Sequence, residues 1–295
     1  MMKMMAPGAG FLGPVDAAPP AGAPRAVIIP FGLEHTVSWR GGTAGGPRAI
    51  IEASHQVELF DEELWCEPIR SFQLGTMAEP DIPGNTEAAL DLLATMTGAA
   101  LESGAFPLVL GGEHSITPGA IRPFLDRWPD LALLHFDAHA DLRDGYEGEF
   151  YSHASAMRRC LDAPRLRLVS LGIRNISAGE AEYYQETRER ITIHWARDKA
   201  DWDVGRILAP LIGRPVYLTI DVDGFDASLM PATGTPEPGG LFWDDVMKIL
   251  KPAFAALDIV GADINELAPA PPLHGCDFLA ARLAYKILAY KFCRP

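Results

Sequence analysis

Leu131-Ala-Leu-Leu-His-Phe136 runs directly into Asp137-Ala-His139-Ala-Asp141. The first stretch is a short, mostly apolar run, as expected of a strand covered on both faces of a parallel sheet. The second stretch places a carboxylate or an imidazole at every other position. In extended backbone, residues i, i+2 and i+4 face one side, so Asp137, His139 and Asp141 can converge.

The same abrupt change occurs twice more. Pro107–Leu110 runs into Gly111-Gly112-Glu113-His114-Ser115, and Val216–Ile220 runs into Asp221-Val-Asp223-Gly224-Phe225-Asp226. Asp221 and Asp223 again share a face. Gly111 and Gly112 are expected to let the chain turn sharply and bring His114 beside them. Further strands are expected at Ala26–Pro30, Leu166–Gly172, Ile191–His194 and Ile259–Ala262. Between them lie helix signals: Pro47 at a first helical position, Asn85 as the cap of a run from Thr86 to Leu101, Thr117-Pro118, and Trp243-Asp244-Asp245 with carboxylates at a positive helix end. The alternation reads as one α/β domain with a mainly parallel sheet over residues 25–295. Residues 1–24, rich in Met, Ala, Gly and Pro, read as a mobile arm. Ligands of such sheets bind beyond the carboxyl ends of the strands, where these polar residues stand.

Composition narrows the partners. The 295 residues carry 25 Lys and Arg against 39 Asp and Glu, a net charge of −14. That balance argues against nucleic acid, whose phosphates need clustered cations. No apolar run reaches the roughly 18–20 residues of a membrane span, and the start makes a poor signal peptide. Cys66, Cys160, Cys276 and Cys293 lie far apart without zinc or redox spacing. A reducing, cytoplasmic setting is expected.

Four aspartates massed at one sheet edge would repel by several kcal/mol per close pair at an effective dielectric of ~20. Cations make the arrangement tolerable, and two divalent ions would balance four aspartates. The set His114, Asp137, His139, Asp141, Asp221 and Asp223 is mostly hard oxygen, which suits Mn²⁺ better than the thiolate-rich sites of structural zinc. Two metals ~3.5–4 Å apart can lower the pKa of a shared water and aim it at an electrophilic carbon. One D-x-H or D-x-D would be an ordinary cap or turn; three such groups at three strand ends point to chemistry. Asp221-Val-Asp223-Gly224 fails as a calcium loop because its Gly comes too early and no Glu stands at the twelfth position. Gly8-Ala-Gly10-Phe-Leu-Gly13 has no preceding strand and is a chance match to the dinucleotide pattern.

Together with Ser152-His153-Ala154-Ser155 and Pro231-Ala-Thr-Gly-Thr-Pro236, these motifs resemble those of the ureohydrolases, the family of arginase, agmatinase and guanidinobutyrase. The resemblance covers about residues 25–290. It implies a three-layer α/β/α fold, two Mn²⁺ per subunit, a homotrimer or homohexamer, and hydrolysis of a guanidinium group to urea and an amine. It assigns His114, Asp137, Asp141 and Asp221 to one ion and Asp137, His139, Asp221 and Asp223 to the other, with Asp137 and Asp221 bridging. By the same resemblance His153 is the catalytic histidine, a proton shuttle for the departing amine. Glu266, in Asp263-Ile-Asn-Glu266, is the carboxylate that receives the guanidinium, a planar cation that pairs bidentately.

Arg174-Asn175-Ile-Ser177 carries neutral residues where arginases have acidic ones, and Leu142-Arg143 stands where they have a carboxylate-binding Asn. Gly32–Ser38, Gly145–Phe150 and Gly234-Thr235-Pro236-Glu237-Pro238 resemble the agmatinase branch. A small cationic guanidine is therefore expected, agmatine first, giving putrescine and urea. Glu237 or Glu149 would meet its distal ammonium, and an inward Arg143 would oppose it. Guanidinobutyrate, aminopropylagmatine and arginine are the alternative substrates. A zinc deacetylase of the same broad fold and a catalytically silent binding subunit are the alternatives of other classes.

Overall fold

Seven of the expected apolar runs form strands, and an eighth strand joins them in a computed structural model that describes residues 3–16 and 19–293. The strands are β1 (Arg25–Phe31), β2 (Gln73–Thr76), β3 (Ala105–Gly111), β4 (Ala132–Phe136), β5 (Arg167–Ile173), β6 (Ile191–Trp195), β7 (Pro215–Asp221) and β8 (Asp258–Asn265). They pair in parallel throughout, in the order β2-β1-β3-β8-β7-β4-β5-β6. Gln73–Thr76 has no apolar run to mark it, because as an edge strand it is only partly covered.

Nine α-helices complete the described residues: α1 (Gly46–Ser54), α2 (Thr86–Glu102), α3 (Thr117–Ala120), α4 (Arg122–Arg127), α5 (Ala156–Cys160), α6 (Ala178–Glu186), α7 (Val204–Leu208), α8 (Trp243–Ala256) and α9 (His274–Phe292). Their starts follow the expected chemistry. Pro47 occupies the first turn of α1, the Asn85 side chain accepts from Ala88 N at 2.9 Å, and Asp245 takes the Phe242 N–H ahead of α8 at 2.9 Å. Ser177 and Glu180 close a capping box on α6.

Neighbouring strand residues go to opposite cores. Ile28, Leu108 and Leu134 pack with α1, α7, α8 and α9, whereas Ile29, Val109 and Leu133 pack with α2, α4 and α5. This is the α/β/α sandwich. Cutting Leu134, fully buried, to Ala would cost about 2–5 kcal/mol. No helix among the described residues is long and apolar enough to cross a membrane.

In the described part of the expected arm, residues pack against the domain. Met4 bridges Met77, Met5 N donates to Thr76 O at 2.8 Å, and Phe11 and Leu12 are buried, their N–H groups held by Thr76 Oγ1 and Ser54 Oγ. Four large apolar side chains among the Gly and Pro give this segment something to pack. Another long-range contact is hidden by sequence spacing: the free thiols of Cys66 and Cys293 lie 2.9 Å apart.

Candidate metal centre and substrate pocket

The four central strands carry the candidate residues at their carboxyl ends. His114 follows β3, Glu266 follows β8, Asp221 ends β7 with Asp223 just beyond, and Asp137, His139 and Asp141 follow β4. Chain order reverses between β3 and β4, the usual place for a crevice in an open α/β sheet. The chain leaves β3 at Gly111 and bends at Gly112 and Glu113 ahead of His114. Gly111 and Gly112 have ordinary φ, and what requires glycine is space: an added Cβ would lie 2.0 Å from Asn265 Oδ1 at Gly111 and 2.0 Å from Leu33 O at Gly112. Asp141 and Glu266 do adopt positive φ, 51° and 68°. Non-glycine residues hold this conformation only where their surroundings enforce it, and such strain gathers at functional sites.

The side chains form two donor groups that share Asp137. His114 Nδ1 lies 3.1 Å from Asp137 Oδ2, 3.2 Å from Asp141 Oδ2 and 3.4 Å from Asp221 Oδ2. His139 Nδ1 lies 2.9 Å from Asp223 Oδ2 and 3.6 Å from Asp137 Oδ1. Each oxygen of Asp137 thus faces a different group. Backbone bonds aim the remaining oxygens: Asp221 Oδ1 accepts from Asp223 N at 2.8 Å, and Asp223 Oδ1 accepts from Ala138 N at 3.0 Å. Thr219 Oγ1 holds His114 Nε2 at 2.8 Å and so directs Nδ1 inward. That nitrogen is buried without a hydrogen-bond partner, yet three carboxylate oxygens ring it. Such a nitrogen fits a metal-ligand set, as does the hardness of the donors.

The electrostatics agree. Burial and the charges of Asp223 and Asp137 push Asp221 well above the usual carboxylate range. Burial and Asp137 push Asp141 up to about 7. Burial opposes charge on Asp137 too, but hydrogen bonds from His114, His135 and His139 override it and hold this carboxyl well down. Carboxylates so crowded share out protons unless cations replace them.

His135 was not among the candidates, although it is the next residue back on the same face of β4. Its Nε2 lies 2.8 Å from Asp137 Oδ2 and its Nδ1 lies 3.0 Å from Ser170 Oγ. Together with His114 and Asp137 it makes one of two side-chain groups, among the described residues, close enough to hold an ion; the other is Asp137, His139 and Asp223. The period-two pattern continues through the strand, and this was the signal available.

A cavity of about 180 Å³ opens over the centre, lined in part by His139, Arg143, His153, Asn175 and Glu266. Glu266 Oε1 accepts the His114 N–H at 2.7 Å, and burial, then Glu113 and Asp223, drive its pKa well up despite that bond. Gly234 stands beside Glu266 Oε2, where an added Cβ would lie 3.8 Å from that oxygen. His153 is held between Thr36 Oγ1, 3.1 Å from Nδ1, and Ser38 Oγ, 2.8 Å from Nε2. Burial, then the positive charges of His139 and His114, lower it to about 4. Arg143 does reach the cavity, with Glu180 Oε2 3.9 Å from its Nε and the Tyr146 ring 5.1 Å from its guanidinium carbon. Glu237 is bonded to Asn175 Nδ2 at 2.6 Å and lies 4.0 Å from His139 Nε2. Glu149 stands in an exposed turn paired with Tyr146.

Fold and site together define a metal-dependent α/β hydrolase. The arginase family model matches residues 24–290, and the chain belongs to this family, in its agmatinase-like ureohydrolase branch. It is 38% identical to an N(1)-aminopropylagmatine ureohydrolase of Synechocystis, over 90% of this chain and 88% of that protein. It is 36% identical to an agmatinase of Bacillus anthracis, over 82% of this chain and 83% of that protein. Among solved structures, the agmatine ureohydrolase of Thermoplasma volcanium superposes with a TM-score of 0.78 at 28% identity, covering 94% of this chain and 92% of that one.

Proposed function

We propose that this ureohydrolase cleaves agmatine to putrescine and urea with two Mn²⁺ ions, held by His114, Asp137, Asp141 and Asp221 and by Asp137, His139, Asp221 and Asp223. The observation that carries this reading is the split of Asp137, whose Oδ1 faces His139 while its Oδ2 faces His114 and His135. When bound, the ions supply a water of lowered pKa and stabilise charge developing at the reacting carbon.

The remaining steps belong to the chain. Glu266 accepts N–H donors of the guanidinium and fixes the carbon below it, and the cation relieves a carboxyl that burial otherwise pushes up. His153, neutral near pH 7, takes up a proton and returns it to the departing amine. At the rim, Glu180 and Tyr146 answer the charge of Arg143, so that a cationic tail can pass. Glu237, behind Asn175, supplies the negative charge for the distal ammonium.

The 38% identity to an aminopropylagmatine ureohydrolase makes the extended amine the second reading. A cytoplasmic setting and a trimer or hexamer belong to the same proposal. Purified, Mn²⁺-loaded protein offered agmatine, aminopropylagmatine, guanidinobutyrate and arginine in parallel should release urea fastest from agmatine. Urea from none of the four would overturn the reading, and a clear preference for aminopropylagmatine would move the assignment to the extended substrate.

A further inference from the structure

Glu113, adjacent to His114, is fully buried and receives four donors. His35 N and Thr36 N donate to its Oε2 at 2.7 and 2.6 Å, and the hydroxyls of Thr36 and Ser115 donate to its Oε1 at 2.9 and 2.5 Å. Thr36 in turn meets His153 twice. The backbone N–H of His153 donates to Thr36 Oγ1 at 3.0 Å, and His153 Nδ1 lies 3.1 Å from the same oxygen.

A threonine hydroxyl has one proton and two lone pairs. Its proton goes to Glu113, an acceptor, and one lone pair takes the His153 N–H. Only a lone pair remains for the ring, so His153 Nδ1 must be the donor. A neutral imidazole carries one ring proton, which leaves Nε2 bare, beside Ser38 Oγ at 2.8 Å.

We propose that Glu113 and Thr36 are positioning residues that fix His153 as its Nδ1–H tautomer and leave Nε2 as the nitrogen that accepts and returns the proton. This rests on the proton-transfer role given to His153 above. The relay works as a carboxylate orients an imidazole in a hydrolytic triad, with a hydroxyl interposed. It also accounts for the close packing at Gly112: Leu33 O accepts from Glu113 N at 2.8 Å, and this brings the 33–38 loop over the end of β3.

The test combines a spectroscopic and a kinetic readout. Nitrogen-15 NMR of the full-length protein, free of paramagnetic ions and with His153 assigned through a His153→Asn variant, should show a protonated Nδ1 and a bare Nε2. A protonated Nε2 in the neutral ring would overturn the proposal, whatever any variant does. In the Mn²⁺-loaded enzyme, Thr36→Val should lower kcat by roughly 10–100-fold, a part of the usual acid–base contribution, with KM little changed. Thr36→Ser should restore kcat. A Thr36→Val enzyme with wild-type kcat, or a Thr36→Ser enzyme as slow as the Val variant, would also overturn it. If Thr36→Val fails to fold, the wild-type spectrum and the Ser variant still decide the matter. Wild-type protein inactive on every guanidine would sink the functional reading instead, while the tautomer remains measurable in the resting protein.

Discussion

Two regions of the molecule gather charge around buried groups, and they settle it differently. Under α9, Asp61, Glu62 and Glu63 meet Lys251, Arg282 and Lys286. Lys286 Nζ lies 2.7 Å from Asp61 Oδ2 and 3.1 Å from Glu63 Oε2, Lys251 Nζ lies 2.7 Å from Glu63 Oε1, and Tyr290 donates to Glu63 at 2.5 Å. Acids and bases match one for one, and the cluster pins the 58–64 loop to the last helix. At the carboxyl edge of the sheet, the basic side chains within 4 Å of Asp137, Asp141, Asp221 and Asp223 are histidines alone among the described residues. A charge cluster balanced by its own side chains is architecture. One left in deficit calls for cations from outside.

The largest effect that would test this contrast is Asp137→Ala. Removing the carboxylate shared by both donor groups should lower kcat for urea release by about 10³-fold or more, the loss of several kcal/mol of transition-state stabilisation. Full turnover of the Mn²⁺-loaded variant would show that the deficit is not a metal site. In the balanced cluster, Lys286→Met should strand Asp61 and cost about 3–5 kcal/mol in a denaturant titration, with kcat of the folded enzyme unchanged. A loss of about 1 kcal/mol or less, the worth of a surface pair, would erase the distinction. The smallest effect is expected from His135→Phe, which removes the imidazole that orients Asp137 and should weaken Mn²⁺ binding by about 10–100-fold. Unchanged affinity by calorimetry would reduce His135 to a filler of the strand.

Local pattern explains what the sequence discloses and what it withholds. A strand buried on both faces announces itself as an apolar run, so β3, β4 and β7 and the chemistry at their ends are legible from single segments. Edge strand β2, half covered and carrying Gln73 and Gly75, has no such signature. The ligand candidates are legible because each D-x-H or D-x-D stands on one strand end. His135 follows the same alternation but sits within the apolar run, where a polar residue reads as strand. Glu113 meets Thr36 across 77 residues, a contact that no local spacing encodes. The buried Phe11 and Leu12 were obscured by the Gly and Pro around them, which favour turns yet do not prevent anchoring.

The strand order has a further consequence, for how the protein is assembled. β7 and β8, the last strands in the chain, fill the gap between β3 and β4. Before they arrive, β2-β1-β3 and β4-β5-β6 are two half-sheets with no shared edge, and His114 and Asp137 stand on opposite sides of the opening. Neither candidate ligand group is complete until the C-terminal third of the chain has been threaded between sheets made earlier. Such non-local pairing slows folding. Ions that bound only the finished set would draw the equilibrium toward the native state, so the proposed metal centre would also close the seam.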